Sequence, residues 1–178
     1  HIDMMIAVDA AGGDLAPHEI VKGAIKAAQE YGIEIALVGS KAILHVLSAR
    51  HLKKENITII DAPETIDFHE APVKAVRTKP NSSIVVGINL VKDGTAAAFV
   101  SAGSTGAVVM AALFQLGTIE GIERPPLGSL ISVNPLAPVL LIDAGVNVDC
   151  RPKHLVQFAQ LGTIYARYIL GIDSPRIA

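Results

Sequence analysis

Short apolar runs alternate along the chain with segments of helical periodicity, and glycine-bearing turns separate the two. Six strands are predicted, at Met5–Asp9, Glu34–Gly39, Asn56–Ala62, Ala97–Ser101, Leu130–Val133 and Val139–Asp143. The first helix is predicted to begin at Pro17 and to end at Gly32. Five further helices are predicted at Lys41–His51, Pro72–Thr78, Ser82 or Ser83 to Val91, Ala107–Leu116 and Arg151–Leu170. This alternation is typical of an α/β fold with a mostly parallel sheet. The spacing of the last two strands suits an antiparallel hairpin, so a sheet of mixed parallel and antiparallel strands is the alternative.

Composition narrows the class of protein. Of 178 residues, 51% are apolar and 18% are charged, which excludes intrinsic disorder. The net charge of −2 argues against a general nucleic-acid binder. The single cysteine, Cys150, predicts a reducing, cytoplasmic compartment, and no apolar run approaches the roughly 18 residues of a membrane span.

The ends of the chain suggest how it is divided. The first four residues, His1–Met4, resemble a cloning remnant before a native start near Met5. Residues 5–178 are expected to form a single α/β domain. The tail Ser174–Ala178 looks like the approach to another strand, so we expect this domain to be the N-terminal part of a longer protein.

Polar or glycine-rich turns follow three of the predicted strands, at Asp9–Asp14, Ser101–Gly106 and Asp143–Asp149. The carboxyl ends of parallel strands meet at one edge of a sheet, and ligands bind at that edge in such folds. The sequence therefore predicts that the three turns converge on one site.

The turn after the fourth strand has the features of an anion site. Gly103 and Gly106 allow close backbone approach, Ser101, Ser104 and Thr105 offer hydroxyls, and a helix N-terminus follows. The alternative is an ordinary helix cap with tight helix–sheet packing. The sequence lacks both the P-loop pattern and the G-x-G-x-x-G spacing, so no nucleotide is implied.

The other two turns add glycines and acids. Gly12 and Gly13 form a second close-approach turn, bracketed by Asp9 and Asp14, whose carboxylates suit orienting a donor, metal binding or proton transfer. In the third turn, Asp143, Asn147 and Asp149 could bind Mg²⁺ or Ca²⁺, although hydrogen bonds lining a site are the favoured interpretation, and no metal or other cofactor is predicted.

Several cationic side chains are candidates for charge neutralisation, although any one of them is more often solvated surface: Arg77, Lys79, Arg124, Arg151, Lys153 and His154. Arg124 is the best placed, because it lies in a rigid segment before a strand. Cys150, with His154 four residues on, is a weaker alternative as an acyl-carrying nucleophile.

Four segments together resemble a known family. Ile6–Asp14, Ser101–Ala107, Glu120–Pro126 and Asp143–Cys150 are similar, in order, to motifs of the bacterial acyl-carrier-protein:phosphate acyltransferases, the PlsX family. The resemblance covers essentially the whole chain after its first residues. It departs at Ala11, Ser104 and Val146, where the family usually has Met, Asn and Ala.

The resemblance implies a three-layer α/β/α sandwich like that of isocitrate dehydrogenases and phosphotransacetylases. It also implies transfer of a fatty acyl group from acylated acyl carrier protein to inorganic phosphate for phospholipid synthesis, a homodimer, and a peripheral link to the inner face of the membrane. In that reaction we expect one set of residues to bind phosphate: Gly12, Gly13, Ser101, Gly103, Ser104, Thr105 and Gly106. Asn147 is expected to donate to the oxyanion, Asp9, Asp143 and Asp149 to orient neighbours, and Arg124 to neutralise charge.

Two other functions stay open. One is a nicotinamide-dependent decarboxylating dehydrogenase relative, against which the missing dinucleotide fingerprint weighs. The other is a non-catalytic module that docks a carrier protein or a membrane. The segment Lys41–Lys79 holds seven of the fifteen Lys and Arg residues, but five acids dilute it.

Overall fold

The fold is described from a computed structural model, which covers residues 5–49, 56–131 and 138–178. Its strands are β1 (Met5–Asp9), β2 (Glu34–Gly39), β3 (Ile57–Asp61), β4 (Ala98–Val100), β5 (Gly128–Ile131) and β6 (Val139–Ile142). Its helices are α1 (His18–Tyr31), α2 (Lys41–Ser48), α3 (Pro72–Thr78), α4 (Ser83–Lys92), α5 (Thr105–Leu116) and α6 (Pro152–Tyr168). Contacts divide the chain into two compact units, His1–Gly117 and Thr118–Ala178.

The first unit contains a four-stranded parallel sheet in the order β3-β2-β1-β4. The side chains of β2 alternate between its two faces, as a pleated strand requires. Ile35 and Leu37 pack with α1 and α2, whereas Val38 packs in a cluster with Ala7 and partly buried residues of α4. A further cluster joins α3, α4 and α5. Helices therefore cover both faces of the sheet, and the predicted three-layer α/β/α architecture is confirmed.

Local signals set the ends of the helices. Gly32 ends α1 in the left-handed conformation, with φ of 63°. The Ser82 hydroxyl caps α4 by accepting from the Val85 N–H at 3.4 Å. Ser40 stands at the N-cap of α2, but its side chain makes no capping hydrogen bond there. The predicted end of α2 at His51 lies outside the described residues.

The second unit contains β5 and β6, paired antiparallel from Gly128–Ile142 to Ile131–Val139, and α6, which packs on β6. The predicted hairpin pairing is thus confirmed. The mixed alternative to a mostly parallel sheet is not the arrangement of the described residues, because these two strands form a sheet of their own. The single-domain expectation stays a prediction.

No helix among the described residues is long and apolar enough to cross a bilayer.

Candidate functional site

The strand order places two of the three predicted turns side by side. The chain leaves β1 toward β2 and β3 and then returns to the opposite side of β1 as β4. In open α/β sheets, this reversal creates a crevice outside the carboxyl ends of the two strands between which it occurs, here β1 and β4. The turns that follow β1 and β4 carry Asp9–Asp14 and Ser101–Gly106, so both meet at the switch point of the sheet.

The Asp9 carboxylate is the centre of this meeting point. The side chain is only 1% exposed. One oxygen, Oδ1, accepts from the backbone N–H groups of Ala11 at 3.1 Å and Gly12 at 3.0 Å, which folds the first turn over it. The other oxygen, Oδ2, accepts from the Ser101 hydroxyl at 2.6 Å. One buried carboxylate therefore fastens together two turns that lie 92 residues apart in sequence.

Ser101 extends the connection into the second turn. Its Oγ donates its proton to Asp9 and accepts from the Gly103 N–H at 3.0 Å. The hydroxyl has thus used its only proton inside the network, which leaves it none to donate to an anion. Ser101 therefore has the geometry of a positioning residue, and its predicted contact with phosphate stays a prediction.

The glycines of the two turns touch each other. A Cβ on Gly12 would overlap the Asp9 Oδ2 atom and lie 2.9 Å from both the Cα and the N of Gly103. A Cβ on Gly103 would lie 3.2 Å from the Gly12 Cα and 3.2 Å from the Ser101 Oγ. The expected close approach therefore exists, but its partner is the opposite turn. The N–H groups of Gly12 and Gly103 face Asp9 and Ser101, so neither is directed at a ligand.

The other two glycines have different surroundings. Gly13 has a φ of 116°, which L side chains rarely adopt, and a Cβ there would come within 3.2 Å of the Ala102 Cβ. A Cβ on Gly106 would lie 2.8 Å from the Pro72 Cγ at the start of α3. Gly106 therefore lets α3 pack against the first turn of α5. Sequence reasoning missed this contact, for which the only signal was a proline at the first position of a helix.

Donors that remain available lie at the start of α5. Ser104 is the N-cap residue, 8% exposed, and its Oγ accepts from the Ala107 N–H at 3.4 Å, while its own proton has no acceptor among the described residues. Among the described residues, the N–H groups of Thr105 and Gly106 have no hydrogen-bond partner, as is usual at a helix start. With the exposed Thr105 hydroxyl, they form a concentrated set of donors at the positive end of a helix dipole.

The third predicted turn lies in the second unit. The expectation that it follows a strand of the parallel sheet is wrong, because β6 pairs antiparallel with β5. Its Asp143 carboxylate accepts from the Leu127 N–H at 2.7 Å and from the Asn147 N–H at 2.6 Å. Partial burial of Asp143 opposes ionisation, but the hydrogen bonds from Leu127, Asn147 and Val146 outweigh it and hold the pKa below its ordinary value of 3.8.

Asn147 and Arg124 hold this turn in place. The Asn147 amide donates both protons, to Pro125 O at 3.1 Å and to Asp143 Oδ2 at 3.0 Å. Arg124 donates to Val148 O at 3.0 Å. Neither amide proton of Asn147 is free in this arrangement, and the expectation that Asn147 donates to an oxyanion stays a prediction. Asp143 fixes the N–H groups of Leu127 and Asn147, whereas Asp149 is exposed and has a φ of 56°. The orienting roles predicted for both in catalysis stay predictions.

Cys150 and His154 do not form a nucleophile–base pair in the structure. The Cys150 Sγ lies 3.9 Å from Asn147 O. His154 is 2% exposed, accepts at Nδ1 from the Arg151 N–H at 3.1 Å, and contacts the Glu123 carboxylate through Nε2 at 3.0 Å. Hydrogen bonds from Lys153 first, and then from His154, lower the pKa of Glu123. His154 thus caps the start of α6 through the Arg151 N–H. The sequence did not predict Glu123 as its second partner.

Three of the four remaining predicted cations also have partners, the exception being Arg151, for whose guanidinium the described residues show no ion pair. Lys153 pairs with Glu123 at 2.5 Å, Lys79 pairs with Glu70 at 2.6 Å, and the Arg77 guanidinium stacks 5.1 Å from the centre of the Phe114 ring. Part of the basic segment Lys41–Lys79 lies outside the described residues. Within the described ranges, no group of three or more His, Cys, Asp or Glu side chains is arranged to hold a metal ion.

Comparison with known proteins identifies the family. A sequence profile described as fatty acid synthesis protein matches residues 4–178. The chain belongs to this family. Among curated relatives, the phosphate acyltransferase of Dehalococcoides mccartyi is 56% identical over 174 residues, which cover 98% of this chain and 50% of the relative. Phosphate acyltransferases of Pelotomaculum thermopropionicum and Trichodesmium erythraeum are 51% and 46% identical over 98% and 99% of this chain.

The chain spans about half the length of these curated relatives, 50–52% in the three cases. The resemblance stated from the four motifs agrees with the family and with the names of the relatives.

Proposed function

We propose that the full-length protein is a phosphate acyltransferase, which moves a fatty acyl group from acylated acyl carrier protein to inorganic phosphate and yields an acyl phosphate for phospholipid synthesis. Membership of the fatty acid synthesis protein family and relatives named phosphate acyltransferase support this assignment. The same findings favour acyl transfer over a nicotinamide-dependent dehydrogenase and over a non-catalytic docking module.

The observation that carries the proposal is the donor set at the start of α5, held against β1 by the Asp9–Ser101 hydrogen bond. Backbone N–H groups and neutral hydroxyls suit a small tetrahedral anion, since they bind negative charge without supplying a proton that would neutralise it. We assign phosphate binding to the Ser104 and Thr105 hydroxyls and to the N–H groups of Thr105 and Gly106.

The reaction needs little acid–base help. A phosphate oxygen attacks the carbonyl carbon of the thioester, the resulting oxyanion collapses, the carbon–sulfur bond breaks, and the departing thiolate takes a proton from solvent. Phosphate groups are largely ionised near neutral pH, with a second pKa of roughly 6 in esters. A thiol with an ordinary pKa of about 8.5 is a good leaving group. The protein therefore contributes mainly orientation and electrostatic stabilisation, and the reaction requires no redox cofactor.

The remaining residues receive positioning roles within this proposal. Asp9 and Ser101 align the two turns, and Gly12, Gly13 and Gly103 permit their close approach. In the second unit, Asp143 and Asn147 order the turn that carries Asp149, and Arg124 fixes its backbone at Val148. Direct contact of Arg124, Asp143, Asn147 or Asp149 with substrate remains a prediction. We also propose a homodimer on the cytoplasmic face of the membrane, as the family resemblance implies.

The experiment is acyl phosphate formation by the full-length protein, detected by trapping with hydroxylamine. Thr105→Val removes a hydroxyl at nearly constant shape, and Thr105→Ser keeps it. We expect Thr105→Val to lower kcat/KM for phosphate by about tenfold or more, because a hydrogen bond to a charged group contributes roughly 1.5–3 kcal/mol. Thr105→Ser should retain most activity. A folded wild-type protein that forms no acyl phosphate would contradict the function, and equal activity of both variants would contradict the placement of phosphate.

A further inference from the structure

Side chains of α6 hold the backbone of residues 121–126, the segment that precedes β5. The Gln157 side chain binds two peptide groups of this segment. Its amide oxygen accepts from the Glu123 N–H at 3.3 Å, and its NH2 group donates to Gly121 O at 2.7 Å. Gln157 therefore fixes the backbone immediately before Arg124.

The Glu123 carboxylate adds a second attachment to α6. It lies 3.0 Å from His154 Nε2 and 2.5 Å from Lys153 Nζ. His154 is buried and its Nδ1 accepts from the Arg151 N–H, so in the neutral ring the proton lies on Nε2 and is donated to Glu123. The lysine pair is about half exposed and contributes little, whereas the buried ring has a fixed position. Glu123 is therefore held mainly by His154.

The backbone after Arg124 is fixed as well. The Asn147 side chain, in the turn after β6, donates to Pro125 O at 3.1 Å. Arg124 thus lies between two residues, Glu123 and Pro125, that are both bound to other elements of the second unit. Loops on a protein surface are ordinarily more mobile than the elements that they connect. The fixed backbone restricts the positions that the Arg124 side chain can reach.

The exposed Arg124 guanidinium keeps most of its donors. Its Nη1 donates to Val148 O at 3.0 Å, and a guanidinium has five N–H donors in a planar fork. Two acids lie near it in sequence, Glu120 and Asp149, but neither forms an ion pair with Arg124 in the described part of the chain. A solvated arginine needs no fixed backbone, whereas a fork that must meet an anion in one orientation does.

We infer that Glu123, His154 and Gln157 are positioning residues, which place the Arg124 guanidinium to receive a phosphate group of a substrate. The inference rests on the proposed function. Arginine suits this chemistry, because its planar fork binds two phosphate oxygens at once and stays charged at neutral pH. Inorganic phosphate and a phosphate carried by the acyl donor share that chemistry, and the experiment separates these two sources.

The first pair of variants is made in the full-length protein and compares two glutamines of α6. Gln157→Leu removes both bonds to residues 121–126. Gln160→Leu makes the same change at an exposed position of the same helix. Each variant is combined with Arg124→Ala in a double-mutant cycle. The KM is measured for inorganic phosphate and for two donors that differ by one phosphate, acyl-phosphopantetheine and acyl-pantetheine.

The second pair separates the two bonds of His154. His154→Asn keeps a side-chain oxygen near the position of Nδ1, so the Arg151 N–H retains an acceptor and the contact with Glu123 is lost. His154→Gln places an NH2 group near the position of Nε2, so the contact with Glu123 is retained and the acceptor for Arg151 is lost. We expect His154→Asn to change the KM, and His154→Gln to change only the thermal stability. If this pair fails to fold, the glutamine pair decides.

We expect Arg124→Ala to raise the KM of the phosphate-bearing substrate by about tenfold or more, the loss of a hydrogen bond between charged groups. Gln157→Leu should raise the same KM by about threefold to tenfold, and Gln160→Leu should behave as wild type. In the Arg124→Ala background, Gln157→Leu should change it by less than about twofold, because a positioning residue acts through its partner. A change in the KM of inorganic phosphate assigns Arg124 to that substrate, and a change confined to acyl-phosphopantetheine assigns it to the donor.

Four results would overturn the inference: an unchanged KM for every substrate in Arg124→Ala, an unchanged KM in Gln157→Leu, an equal loss in Gln160→Leu, or losses in Gln157→Leu and Arg124→Ala that are strictly additive in free energy. A wild-type protein that forms no acyl phosphate contradicts the proposed function instead. The same cycle is then measured on the Kd of inorganic phosphate and of phosphopantetheine, and the coupling between Gln157 and Arg124 in those affinities decides the inference.

Discussion

Two aspartates at strand ends, Asp9 and Asp143, use the same local chemistry for different purposes. Each follows or ends an apolar strand, and each accepts from backbone N–H groups two to four residues further on. The second oxygen of Asp9 accepts from the Ser101 hydroxyl, 92 residues away in sequence. The second oxygen of Asp143 accepts from the Leu127 N–H, 16 residues away and next to the strand pair that Asp143 follows. The first aspartate joins the turns that follow two strands of the parallel sheet. The second links the residue before β5 to the residue after β6, at the outer ends of one hairpin.

The comparison shows that the structural role of such an aspartate depends on its more distant hydrogen-bond partner, and not on the local turn that it shares with the other. The Asp9 network is buried and organises the donors at the start of α5. The Asp143 network is less buried and consumes the amide protons of Asn147 within the turn. We therefore expect substitutions at the first turn pair to affect stability and activity together, and substitutions at the second to have smaller effects on the stability of its own unit.

The largest effect should come from the contact between the two turns of the first unit. In Gly12→Ala, the new methyl group meets Asp9 Oδ2 and the backbone of Gly103, so the turns must separate. We expect a loss of about 3 kcal/mol in unfolding free energy, as for a severe case of overpacking, together with loss of acyl transfer.

The matched control is Gly23→Ala in α1, where a Cβ would meet nothing within 4 Å. It should raise the free energy of unfolding by roughly 0.5–1 kcal/mol, because alanine is favoured over glycine inside a helix. Urea denaturation measures both changes. Equal stability of the two variants would show that the turns are not in contact.

A smaller and pH-dependent effect is expected at Asp143. Its pKa is lowered in the folded protein, so its contribution to stability is present above the ordinary value of 3.8 and is lost as the pH falls through the lower folded value. Asp143→Asn should therefore lower the free energy of unfolding by about 1 kcal/mol at pH 7, and the difference from wild type should shrink as the pH falls below 3.8. A difference that grows on acidification would contradict the assigned hydrogen bonds.

The elements of the fold could be read from the sequence more reliably than their assembly. The bounds of β1, β2 and α3 agree with prediction, because aliphatic runs, a helix-starting proline and flanking turns are local signals. β5 begins two residues earlier than predicted, since Gly128 and Ser129 pair with β6 despite their low apolarity. The spacing of β5 and β6 predicted their hairpin, but no local signal showed that the pair forms a sheet apart from the parallel one, because an apolar pattern does not specify which sheet a strand joins.

The candidate site, like the fold, was predicted only in part from the sequence. The sequence indicated which turns carry chemistry, including Asp9, Ser101 and the start of α5. The N–H groups of Gly12 and Gly103 bond to side chains only three and two residues away, and the sequence analysis missed these local contacts. The use of the Ser101 proton by Asp9 could not be predicted, because that bond joins segments 92 residues apart. The packing of Pro72 on Gly106 was hidden for the same reason.

The bond between Asp9 and Ser101 can be tested most directly by a double-mutant cycle on the free energy of unfolding and on phosphate affinity. In Asp9→Asn, the amide oxygen is needed by the N–H groups of Ala11 and Gly12, so the amide NH2 faces Ser101 Oγ. The charge-assisted bond is then replaced by a weaker neutral one of the opposite direction. In Ser101→Ala, both Asp9 Oδ2 and the Gly103 N–H lose their partner. We predict single losses of about 1–3 kcal/mol, a double loss smaller than their sum by about 1 kcal/mol or more, and weaker phosphate binding in all three variants. Strictly additive losses with unchanged phosphate affinity would contradict the account.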